Sequence, residues 1–131
     1  MASLDRNGAS HYCHYTSMAI ITHTRNHIFL AGLKHCGKTT LGKMLAHSCA
    51  RPFYDLDDLL LQEARAEGFT SVRELYRTAG REKFQEYEAL AAQKACSPDN
   101  IEPGVLSLGG GTIENGHALP VLKQSGFFVY L

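Results

Sequence analysis

No CxxC pair links any of the four cysteines, Cys13, Cys36, Cys49 and Cys96, and their spacing fits no disulfide framework. This absence argues for a reducing compartment and free thiols. No apolar stretch approaches the roughly 20 residues that a membrane helix needs, and Met18-Ala19-Ile20-Ile21 is too short for a signal-peptide core. No membrane partner is expected, and the chain reads as cytoplasmic. Dense basic runs interleaved with aromatics are missing too, which weighs against a nucleic-acid partner. Charge is nonetheless uneven: residues 1–51 hold six Lys and Arg against Asp5 alone, and the remaining 80 hold seven against twelve acidic residues, for a net charge of zero. A solvated surface with a phosphate site accounts for this. His11, Cys13 and His14 match no structural zinc spacing. Internal repeats are also lacking.

What is present suits one soluble globular domain: 131 residues, 44% hydrophobic and 20% charged. Residues 1–26, rich in Ser, Thr, His and Asn, read as a poorly structured tail, within which Met18 is a candidate native start. Residues 27–131 form the domain. His27 to Ala31 is a short apolar run ending at Gly32, as expected of a buried strand. Lys38 to Ala50 reads as a helix with Leu41, Leu45 and Cys49 on one face, closed by Pro52. Phe53-Tyr54 leads a second strand into Asp55 to Asp58, followed by a helical segment to about Glu67 and a break at Gly68. Ser71 to Glu74, "SVRE", is a capping box that starts the next helix. The apolar stripe changes phase at Gly80, so two helices should meet there. After the loop 97–104 come a strand from Val105 to Leu108, a helix from about Asn115 to Gln124 and a strand from Phe127 to Leu131. This alternation predicts a three-layer α/β/α fold with a mostly parallel sheet.

Residues 32–39, "GLKHCGKT", match GxxxxGK[ST] between a strand and a helix. In such a loop the glycines let successive N–H groups point at phosphate oxygens, Lys38 supplies a point charge for the outer phosphates and Thr39 offers a hydroxyl to Mg²⁺. The helix start adds its positive end. Gly32, Gly37, Lys38, Thr39 and Thr40 are the candidate nucleotide contacts. Asp55 and Asp57 lie at the end of the second strand, where ligands collect in open α/β sheets. They either hold a metal-bound water and orient an acceptor hydroxyl, or cap a helix. Gly109-Gly110-Gly111 follows another strand, so either a ligand approaches the backbone closely or the chain turns with positive φ.

In order and spacing, "HIFLAGLKHCGKTTLGKMLA", "FYDLDDLLL", "FQEYEALA", "LSLGGGTI" and "GFFVYL" resemble the motifs of shikimate kinases. The resemblance covers residues 27–131 and implies a P-loop NTPase-like fold. It implies ATP-dependent phosphorylation of the 3-hydroxyl of shikimate, in the biosynthesis of aromatic amino acids. By resemblance, Lys38 and Thr39 serve ATP and Mg²⁺, Asp55 binds the metal through water, Asp57 holds or activates the acceptor hydroxyl as the catalytic carboxylate, and Gly109 to Gly111 line the substrate pocket.

Three departures stand out. The family's FRxxE motif places an Arg on the shikimate carboxylate, and this chain has Gln85 there, with Arg81 on the same helical face as the candidate replacement. His35 stands where a loop glycine is usual, which requires a negative φ if the loop keeps an ordinary residue. Beside it, Cys36 reads either as a reactive thiol or as a buried inert one. Finally, the family continues past its fourth strand into an Arg-bearing lid and a further strand, so the resemblance implies a chain truncated after four strands. The fourth strand would then be an edge through which a normally monomeric protein self-associates. The alternative to a kinase is a catalytically impaired nucleotide-binding remnant of the same family.

Overall fold

The computed structural model describes residues 26–131. The expected tail, the start at Met18 and the His11, Cys13 and His14 group lie outside the described residues. Strands β1 (His27–Ala31), β2 (Phe53–Asp55), β3 (Val105–Ser107) and β4 (Gly126–Tyr130) form one parallel sheet in the order β2-β3-β1-β4. Between them run helices α1 (Lys38–Ser48), α2 (Leu56–Ala64), α3 (Val72–Cys96) and α4 (Ala118–Ser125), with short 3₁₀ turns at Arg65–Glu67 and Thr112–Glu114.

β1 is buried along its whole length because its two faces feed two cores, as a central parallel strand requires. Phe29 and Ala31 pack with Leu56, Leu60, Leu75, Leu106 and Leu122 from β3 and helices α2 to α4. Ile28 and Leu30 pack with Ala46, Val105 and Phe53 on the α1 side. The three-layer expectation is therefore met.

Several local expectations are corrected. Residues 38–48 do form a helix, but its buried face is Gly42 and Ala46, and Leu41 is exposed. α1 stops before Pro52: Ala50 turns left-handed at φ 52°, and the Arg51 N–H reaches back to the Ala46 carbonyl at 2.9 Å, a cap that glycine usually makes. The capping box at Ser71 is only half formed. Its hydroxyl accepts the Glu74 N–H at 3.1 Å, while the Glu74 carboxylate turns to the N–H and hydroxyl of Thr70 at 3.0 and 2.8 Å. α4 begins at Ala118, three residues later than its sequence pattern, and the Asn115 side-chain oxygen accepts the N–H groups of His117 and Ala118 in the turn that precedes it. The break at Gly80 stands as expected, with φ 87° inside α3.

The connections that leave β1 and β3 diverge. From β1 the chain crosses through α1 on one face toward β2, and from β3 it crosses through α4 on the other face toward β4. The C-terminal ends of these two adjacent strands therefore open a crevice, the place where doubly wound sheets hold ligands.

Candidate functional site

Two glycine loops face each other across that crevice. The loop after β1 turns at Gly32 (φ 149°) and Gly37 (φ 94°), both left-handed, and hands over to α1. No side chain caps the start of α1 and no acidic residue lies in its first turn, so its N–H groups and positive end face outward. The Lys38 ammonium donates to the carbonyls of Gly32 and Leu33, each at 2.7 Å, and so braces the loop from inside. His35 departs from expectation: its φ is +63°, left-handed rather than negative. Histidine is among the residues enriched there, and the loop retains the fold that a glycine would allow. Cys36 is exposed at the loop tip with its sulfur 3.8 Å from the Lys38 ammonium.

The loop after β3 is tied to β1 by the Leu108 N–H, which donates to Leu30 at 2.9 Å. None of Gly109, Gly110 and Gly111 has a positive φ, so the sharp-turn reading fails and closeness of approach remains. A Cβ on Gly109 would lie 3.1 Å from the Thr112 hydroxyl and 3.3 Å from the Asp57 carboxylate, and one on Gly110 would lie 3.7 Å from the Lys34 N–H of the opposite loop. Behind this turn sits Glu88, 2% exposed. Its two oxygens accept from the Thr112 hydroxyl and the Asn115 amide, each at 2.8 Å, so α3 holds the glycine turn from below. Glu88 lies within the quoted "FQEYE" stretch, yet its buttressing role depends on partners 24 and 27 residues away.

Asp55 ends β2 and also caps α2: its carboxylate accepts the Asp57 N–H at 2.9 Å. The helix-capping alternative thus holds for Asp55, while Asp57 lines the crevice. Burial raises the Asp55 pKa, with the Asp57 N–H, Lys38 and Lys43 pulling the other way. Burial likewise raises that of Asp57, reinforced by the nearby Asp55 and Glu88 charges and opposed by Lys34. Thr39, Lys43, Asp55 and Asp58 line a depression of about 290 Å³ beside the first loop. Its hydroxyl and carboxylate oxygens suit a hard divalent cation that keeps some of its waters.

Asp57, Glu88 and Gly109 to Gly111 line a cleft of about 1160 Å³, walled by Val72, Tyr76 and Phe84 of α3. Lys34, Arg73 and Arg77 are its cations. Arg81 and Gln85 are not among the lining residues; Arg81 is exposed, and the Gln85 carbonyl accepts from the Asn115 amide at 3.0 Å. The sequence reading thus missed Lys34, Arg73, Arg77 and Glu88. No motif marks Arg73 and Arg77, because nothing local in α3 says which of its turns faces the crevice, and Lys34 fills a variable position of the loop pattern.

A parallel α/β/α sheet with a GxxxxGKT loop at its switch point defines a P-loop protein of the nucleotide-phosphate-binding class. Within that class, the family description "Shikimate kinase" matches residues 34–131. The chain belongs to the shikimate kinase family. The shikimate kinase of Chlamydia pneumoniae is 36% identical over 104 residues, covering 79% of this chain and 57% of that protein. That of Chlorobium chlorochromatii is 34% identical over the same length, covering 51% of that protein. The chain therefore spans a little over half the length of these curated relatives. Among solved structures, the shikimate kinase from Acinetobacter baumannii in complex with shikimate superposes with a TM-score of 0.71 at 32% identity, over 88% of this chain and 59% of that one. The enzyme from Bacteroides thetaiotaomicron gives 0.70 at 31% identity, over 81% and 56%.

Proposed function

We propose that residues 27–131 are the nucleotide- and acceptor-binding body of a cytoplasmic shikimate kinase, which transfers the γ-phosphoryl group of ATP to the 3-hydroxyl of shikimate. The observation that carries this reading is the cleft itself, in which Asp57 and the Gly109 to Gly111 turn lie directly against the P-loop. The neighbour from Acinetobacter baumannii, solved with shikimate, supports the choice of acceptor.

MgATP supplies the electrophilic phosphoryl group and the charge that offsets its oxygens. On this reading Gly32, Gly37, Thr39 and Thr40 belong to the phosphate cradle, and Thr39 and Asp55 are the protein's oxygens on the metal side. Lys38, which donates to the loop carbonyls of Gly32 and Leu33, would place its charge at the outer phosphates. Asp57 would accept the proton of the attacking hydroxyl as its oxygen bonds to the γ-phosphorus and the γ-phosphorus–oxygen bond to the departing ADP breaks, and a carboxylate with a raised pKa is the stronger base for that task. The three glycines let the acceptor ring lie on bare backbone, and Tyr76 and Phe84 cover its apolar faces.

The remnant reading draws on Gln85, which stands where the family's motif has an arginine. Turnover separates the two. ADP release with MgATP is expected to rise on adding shikimate and to fall by at least about 100-fold in Lys38→Ala, with folding checked by circular dichroism. Shikimate-independent release equal to that of the variant would reject the kinase reading in favour of the remnant.

A further inference from the structure

The cleft contains charges that the P-loop and Asp57 do not use. Asp57 and Glu88 make its floor acidic, whereas Arg73 and Arg77 project from the first half of α3 at its wall. The two arginines are four residues apart, so they lie one above the other on the same helical face, about 6 Å apart at Cβ. Both are exposed, and no salt bridge engages either among the described residues. Arg77 does sense Glu74 electrostatically, but that carboxylate is committed to Thr70. Lys34, the remaining cation of the cleft, sits on the P-loop and acts on Asp57, which keeps it at the phosphoryl end. A ligand in the cleft thus meets, within one lining, a carboxylate base and two guanidinium groups that no salt bridge engages among the described residues.

We propose that Arg77 and Arg73 together hold the carboxylate of the acceptor, in the place of the guanidinium that Gln85 lacks. This inference rests on the shikimate reading and adds to it the residues that select an acidic acceptor. Guanidinium groups bind carboxylates in a planar, two-bond fork that a glutamine amide cannot reproduce. Because the pair lies before the Gly80 break, it reaches the cleft from a different helical segment than Arg81 and Gln85 do.

The test is equilibrium binding of shikimate and of its methyl ester to the full chain with MgADP present, read by calorimetry. The unaltered chain is expected to prefer the acid by about 10- to 100-fold. Arg73→Ala and Arg77→Ala should each reduce that preference and the double variant should abolish it, while ester binding stays within about threefold; Arg77→Lys should restore part of the preference. Gln85→Arg should gain less than about threefold, because the carboxylate already has its partners. Loss of the preference in Arg81→Ala instead, or its survival in the double variant, would overturn the arginine assignment and leave the shikimate reading standing. Binding of MgADP with no binding of shikimate would overturn both.

Discussion

At the scale of single residues, Asp57 shows how a site sets function against stability. Its carboxylate is partly buried between Asp55 and Glu88, so the fold favours its protonated form and its pKa rises. A folded-state pKa above the unfolded one means that the native chain binds the proton more tightly, so the ionised group costs stability at neutral pH and the cost disappears as pH falls. Asp57→Asn is therefore expected to lower shikimate-dependent turnover by about 10²- to 10⁴-fold while raising the melting temperature at pH 8. The thermal gap between variant and parent should narrow toward pH 4, and a gap that widens with acid would contradict this account. The same carboxylate should give a turnover profile that rises with pH through an apparent pKa above the ordinary carboxylate range. His35 is a second case: its left-handed backbone is a local strain that the loop's closure around Lys38 maintains.

At the scale of elements, α1 is positioned by a glycine. A side chain on Gly42 would strike the Phe53 ring and the Leu30 side chain, so the helix can approach β1 and β2 closely only because that position is bare. This approach fixes where α1 starts, and with it the direction of Lys38 and of the N–H groups above the crevice. Gly42→Ala is expected to destabilise the fold by about 1–3 kcal/mol through overpacking, despite alanine's better helix propensity. Urea denaturation checks the sign. A stabilised variant would mean that Phe53 moves aside and that α1 is not held by this contact. α3 is likewise two working segments joined at Gly80, the first lining the cleft with Arg73 and Arg77, the second carrying Glu88 beneath the glycine turn.

At the scale of the whole molecule, the described sheet has two edges, β2 and β4. β4 pairs with β1 through five residues and leaves its other side unpaired among the described residues, with Phe127 at 55% and Tyr130 at 64% exposure. An apolar edge with free backbone groups is a template for pairing. The chain as given is expected to self-associate as concentration rises, and Val129→Lys, at a half-covered position on that strand, should shift it toward monomer in light scattering after size exclusion. A parent chain that stays monomeric throughout the micromolar range would remove this expectation.

Much of this was legible in the sequence because the signals are local. The P-loop pattern, the buried run at 27–31, the break at Gly80 and the GGG turn each depend on residues within a few positions of one another, where steric rules and periodicity act. The amino-acid sequence by itself therefore determined the layer order, the phosphate loop and the family. Tertiary packing decided the rest. Which face of α1 is buried follows from Phe53 on another strand, and the turn before α4 is held by Asn115, whose amide is itself bound to Glu88 of α3. Glu88 finds its partners only when α3 lies under the glycine turn. The same packing brings Arg73 and Arg77, rather than Arg81, to the cleft, because side-chain spacing gives a helix its faces but only its neighbours give those faces an address.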